Sequence, residues 1–473
     1  MKRKDNSFWL SRRALLKNSA IMSASAVLPA VAQAKARTAL PIPPLLDVGR
    51  GKPVLLSMTS VKKRFLDGEK VEAWGFNGAY LGPTIKCKQG DFVRLNYRNQ
   101  LSQAVSLTIQ GLQASGELLG GVGKLFQPNS GWSPVIPITQ NAASCWYHAN
   151  TLARSAYQVY RGLLGLWIIE DNASRKAKLP NQYGVNDIPL ILQDVQLNRQ
   201  GEQLFNANTY PFLGNRLLVN GVEAPYLTVA RGWIRLRLLN ASLSRSYQLS
   251  LDNGNPMVLL AGNLGFVPQQ RPISHLFLSP GERAEVLVDL NEGGEVSLIT
   301  GEKRGFLHNI TALWADDNEL YDNTVLTLRP EGLVSAFAHK PHIDAALQFD
   351  SPIEVVRERQ FVLDVDNALI NQQRFDPRRI DVSAKLGSFE RWNLSSNTPI
   401  GFRIEGAKFL VERANGRTLD LTQASWRDTL WLNSPMSVLV KFENMSSNNY
   451  PFTFGASDLM LADKGCLGML VVQ

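Results

Sequence analysis

Three stretches of this 473-residue chain are written to one plan: PTIKCKQGDFVRLNYRNQ (Pro83 to Gln100), PYLTVARGWIRLRLLNAS (Pro225 to Ser242) and RIDVSAKLGSFERWNLSS (Arg379 to Ser396). Each holds a short alternating strand, a turn around a glycine, and a second alternating strand that ends in polar residues. The glycines are Gly90, Gly232 and Gly387, so the plan recurs after 142 and 155 residues, one domain apart. Glycine supplies the positive φ of such a turn at no steric cost. Period-two alternation dominates the rest of the chain and long helical patterns are scarce, which predicts an all-β protein. Ile234, Leu236 and Leu238 should face a core, with Arg235 and Arg237 toward water. The repeat therefore predicts three β-sandwiches in tandem. Polar text without alternation places their boundaries near Asp171 to Gln182 and near Arg329 to His342. The domains are then 35–175, 182–330 and 343–473.

The first 34 residues belong to none of them. They carry six basic residues and one acid, then an uncharged Ala- and Ser-rich run to Ala34. That run is too short and polar to span a bilayer comfortably. It reads as an export signal with Ala32-Gln33-Ala34 as the cleavage site. SRRALLK, with Arg12 and Arg13, resembles a twin-arginine signal, which implies export of a folded protein to a bacterial periplasm. Without the signal the formal charge falls from +9 to about +4, with 44 basic against 40 acidic residues. That is weak evidence for a nucleic-acid or membrane partner, and the address argues against nucleic acid. Cys87, Cys145 and Cys466 are an odd number for an oxidising compartment, with no CxxC, and read as buried inert thiols.

The phrases LLVNGVEAPYLTV (Leu217 to Val229), RLRLLNAS (Arg235 to Ser242) and LSPGERAEVLVDL (Leu278 to Leu290) resemble the multicopper oxidase family over almost the whole mature chain. The resemblance implies cupredoxin-like Greek-key sandwiches. That family holds copper with histidines and one cysteine in four short motifs. Matched to them, this chain has Thr108 and Gln110 in the first and His148 and Asn150 in the second, within CWYHANT. The third motif has Ile400, Arg403 and Glu405. The fourth has Phe452, Thr453, Phe454 and then Leu461, with Cys466 at the weak axial position. One of these eleven principal positions, His148, keeps a copper ligand. The resemblance thus implies no bound metal, no cofactor and no catalytic residue. His148 is expected to be a remnant inside a refilled sandwich. Arg403 and Glu405 are two apart on one strand and should face the first domain as a buried ion pair near His148, Asn150 and Gln110.

Within the family, LPIPPLLD (Leu40 to Asp47), NGAYLGPTI (Asn77 to Ile85) and WYHANT are similar to copper-free relatives of the oxidases that act in cell division. This implies a monomeric, non-enzymatic periplasmic protein that joins the septal ring and supports the division machinery under stress. It implies division proteins as partners, no small-molecule substrate, and membrane contact only during export. The alternatives are a copper oxidase using another ligand set, such as His148, Glu405 and Cys145, and a general periplasmic chaperone or binding protein. Cys145 lies at an odd offset from His148 and should point away from it. His339 and His342, in HKPH, read as a solvated linker. GELLGGVGK (Gly116 to Lys124) reads as a hairpin or surface loop and lacks phosphate-loop spacing. Trp132 and Trp314 read as loop plugs.

Overall fold

The computed structural model describes residues 38–48, 51–66, 68–302, 320–334, 337–343, 345 and 353–473. The export signal with Arg12, Arg13 and Ala34, and also His308 and Trp314, lie outside the described residues. Strands dominate and form six sheets among the described residues, two from each of three successive spans. In the first span one sheet runs, in spatial order, Leu45–Asp47, Thr84–Lys88, Leu164–Glu170, Ala143–Ala149, Val105–Gln110 and Leu125–Phe126. Its companion runs Val135–Pro137, Phe92–Asn99, Val54–Lys63, Val71–Phe76 and Ala79–Tyr80. The second span supplies seven- and five-stranded sheets between Asp187 and Val334, and the third supplies six- and five-stranded sheets between Val355 and Val472.

The repeated glycines sit where the plan requires them. Gly90, Gly232 and Gly387 have φ of 92°, 121° and 79°. In every copy the strand before the glycine belongs to one sheet and the strand after it to the companion sheet. The turn is therefore the corner that carries the chain across the sandwich. One apolar cluster is continuous between the first and third spans, joining Leu95, Leu107 and Trp146 to Phe402, Trp392 and Leu470. Another gathers Leu190, Leu236, Leu238, Val286 and Leu326 inside the second.

Three sequence expectations need correction. Arg235 and Arg237 do not face water: they are 5% and 3% exposed. The alternation is real, but the face opposite the apolar core is covered by the first span. GELLGGVGK is no hairpin; it forms two short helical turns, Gly116–Leu119 and Gly121–Gly123. Buried Leu119 anchors them. Strand Thr324–Val334 runs into the polar stretch expected to be a linker. That stretch is strand because Thr327 to Glu331 pair in parallel with Tyr226 to Ala230. Beyond it, His339 and His342 are exposed, as expected. Trp132 is a plug: it stacks on Tyr97 at 6.0 Å.

Candidate functional site

CWYHAN folds as the strand Ala143–Ala149 and the residue after it, buried throughout. The strand is paired on both sides, with His148 opposite Thr108 and Trp146 opposite Gln110. Residues two apart share a face, so the His148 ring stacks on Trp146 with centroids 3.9 Å apart. His148 Nδ1 lies 2.8 Å from the Ala149 carbonyl. A carbonyl only accepts, so the proton sits on Nδ1 and Nε2 keeps a lone pair. Burial, aided by the nearby Arg403 charge, pushes the pKa of the ring down to about 3. It is neutral at physiological pH.

The third span closes over this face. Arg403 in strand Ile400–Ile404, and Glu405 just after it, are 1% and 3% exposed. Arg403 Nη1 donates to Glu405 Oε1 at 2.9 Å. Asn150 Nδ2 donates to the same oxygen from the first span at 3.1 Å. Glu405 Oε2 accepts from the backbone N–H of Thr453 at 3.1 Å and from its hydroxyl at 2.6 Å. The expected pair thus exists and is tied across the seam. Gln110 makes a second tie, donating from Nε2 to Thr429 Oγ1 at 2.7 Å. Three buried polar atoms beside the pair have no partner among the described residues: Trp146 Nε1, His148 Nε2 and Arg403 Nε.

Not all of the positions matched to the oxidase motifs lie at this seam. Thr453 reaches it, but its neighbours Phe452 and Phe454 point into the core of the third span. Phe454 packs on Phe361 at 5.0 Å and on Trp392 at 5.3 Å. Phe452 fills the space over Gly406, where an added Cβ would fall 2.2 Å from the ring; φ there is +64°, so only glycine fits. Ile400 and Leu461 are buried apolar residues. The Cys466 thiol lies 3.7 Å from the Leu369 carbonyl, and burial pushes its pKa up to about 12. Cys145 approaches Gln140, not His148. Burial pushes its thiol pKa up too, so a nucleophilic or metal-binding thiolate is disfavoured. Among the described residues no three of His, Cys, Asp and Glu gather as a metal-binding group.

A second polar seam, between the first and second spans, escaped the sequence reading. Arg237 clamps Asp187 with two bonds of 2.7 and 3.0 Å. Its Nη1 also donates to Glu285 at 2.8 Å and to Ser144 Oγ of the first span at 3.0 Å. Arg235 Nε donates to Glu285 Oε2 at 2.8 Å, and Ser144 donates to Glu285 Oε1 at 2.6 Å. Burial alone would raise the pKa of Glu285; the two guanidiniums outweigh it and hold it at about 2. Arg283 joins all three spans. It is 1% exposed and donates to the Ser144 carbonyl at 3.0 Å and to both Asp428 oxygens at 2.9 Å. The missed signal was charge pairing: Arg237 and Glu285 stand opposite each other on neighbouring strands.

Residues 57–174 match the family model described as multicopper oxidase. The cell division protein FtsP of Aggregatibacter aphrophilus (strain NJ8700) is 56% identical over 469 residues, 98% of this chain and 99% of that protein. FtsP of Haemophilus influenzae (strain 86-028NP) is 53% identical over 468 residues, with the same coverage. Among solved structures, the laccase-like multicopper oxidase CueO from Ochrobactrum sp. superposes with a TM-score of 0.82 at 30% identity, over 92% of this chain and 100% of that one. A laccase from Pediococcus acidilactici superposes with a TM-score of 0.82 at 24% identity, over 92% of this chain and 94% of that one, a likeness of fold alone.

Proposed function

The chain belongs to the multicopper oxidase family, within its group of FtsP cell division proteins, and from this premise we propose that it is a non-enzymatic division protein. It is exported to the periplasm on its twin-arginine signal and gathers at the septal ring as a monomer. There it steadies the division machinery under stress by contact with other division proteins. The observation that carries this reading is the Arg403–Glu405 pair. At positions where the oxidase resemblance calls for imidazoles, a guanidinium and a carboxylate are locked together, and the carboxylate already accepts four hydrogen bonds.

This donor set does not fit copper. An oxidase centre needs several imidazoles and a thiolate. The seam offers one neutral imidazole lone pair beside a fixed positive charge, which opposes a second cation. A scaffold without that chemistry acts by what it touches. Two measurements test the reading. A fluorescent fusion exported by the twin-arginine route is expected at mid-cell in dividing cells; a uniform periplasmic signal under division stress would favour a general chaperone. Purified mature chain incubated with copper and desalted is expected to retain no stoichiometric metal and no blue absorption. Several tightly held coppers per chain would overturn the non-enzymatic part.

A further inference from the structure

Charge is divided unevenly along the chain. Residues 38–170 carry thirteen Lys and Arg against seven Asp and Glu, a net +6; residues 171–473 carry 29 against 33, a net −4. The basic part has an outer sheet with one open face. Strand Phe92–Asn99 buries Val93, Leu95, Tyr97 and Asn99 and turns Phe92, Arg94, Asn96 and Arg98 outward. Register adds Val135 opposite Arg94 and Leu55 opposite Asn96. Phe92, Leu55 and Val135 are 66%, 46% and 41% exposed. Neither Arg94 nor Arg98 is in an ion pair among the described residues, and no acid occupies an outward position on these strands. Arg98 and Asn96 also line a hollow of about 600 Å³ with Asn129 and Ser130.

Exposed apolar side chains beside unpaired arginines have the composition of a protein contact. The arginines are four residues apart on one strand, roughly 13 Å. Carboxylates four residues apart on an extended partner would match that spacing. An anionic bilayer is a poorer fit, because lipid-binding patches gather roughly four to eight basic residues, and this face presents two.

We infer that the outer face around Phe92, Arg94 and Arg98 docks an acidic, extended segment of another division protein, its apolar side chains resting on Phe92, Val135 and Leu55. This rests on the division reading above. The test uses the full-length chain in its native host, with a photo-crosslinking phenylalanine analogue at position 92 and, as control, at position 333, where Leu333 is 91% exposed in the second span. Position 92 is expected to give an adduct, mapped by mass spectrometry to an acidic segment; position 333 is not. Arg94→Glu combined with Arg98→Glu is expected to cut the adduct about tenfold and to disperse the mid-cell signal, with the thermal midpoint unchanged. A wild-type fusion that never gathers at mid-cell defeats the division reading. A wild type and double variant that gather equally defeat the docking inference alone. So does an adduct with lipid, with a second copy of this chain, or with a segment lacking acids.

Discussion

Two polar seams hold the spans of this chain together, and they are built on opposite principles. Between the first and second spans, guanidiniums and carboxylates interlock: Arg237 binds both Asp187 and Glu285, Glu285 binds both arginines, and Ser144 bridges them. Between the first and third spans, one carboxylate collects four donors, while Arg403 Nε, His148 Nε2 and Trp146 Nε1 have no partner among the described residues. Buried charge is tolerable only when paired and hydrogen-bonded. The first seam meets that standard throughout and the second only at Glu405. The difference teaches that a buried carboxylate can be fully satisfied while the polar atoms packed around it are not: the donors converge on Glu405 and leave its neighbours without partners among the described residues.

The sharpest way to break the comparison is to remove one guanidinium from each place. Arg237→Met strips buried Asp187 of two bonds and Glu285 of one, and the expected loss is about 3–5 kcal/mol. Arg403→Met leaves Glu405 three donors, so the loss is expected to be about 2 kcal/mol. Urea midpoints of the two variants decide; equal shifts would erase the distinction between the seams.

Acid separates them next. The His148 ring, ordinarily at 6.5, is held at about 3. The folded state resists protonation there, so the contribution is complete above pH 6.5 and drains away as pH falls toward 3. Glu285, ordinarily at 4.5, is held at about 2, so its contribution is complete above pH 4.5 and drains only below it. From pH 6.5 to 4.5 the wild type is therefore expected to lose about 2–3 kcal/mol relative to His148→Gln. Thermal midpoints of both proteins against pH would show it. Parallel curves would mean that His148 is open to water. The smallest expected effect is that of Asn150→Ala, which removes one of four donors to Glu405 and should cost about 1 kcal/mol in the same urea assay.

Much of this was readable before folding. The glycine plan located all three cross-sandwich corners, because a positive φ between two alternating strands leaves few other residues possible. The i, i+2 spacing of Arg403 and Glu405 placed them on one face, and the family resemblance named the facing residues, of which Asn150 makes the bond. The sequence reading failed where a face was covered by another span. Arg235 and Arg237 alternate with leucines just as solvent-facing arginines would. Nothing local says that Ser144, more than ninety residues earlier, will lie against them. Motif position groups Phe452 and Phe454 with Thr453, yet only Thr453 reaches Glu405, while the Phe454 ring turns to Trp392 and the Phe452 ring covers Gly406.

The order of letters alone determined the strand period, the turns and which side chains stand at the positions matched to the oxidase motifs, since each follows from a residue's own identity or backbone preference. Only the tertiary structure decided which charges are buried, which carboxylate each arginine meets and which sheet face stays open. Burial and pairing depend on what a distant part of the chain brings into contact, and an alternating strand looks the same whether its polar face meets water or protein.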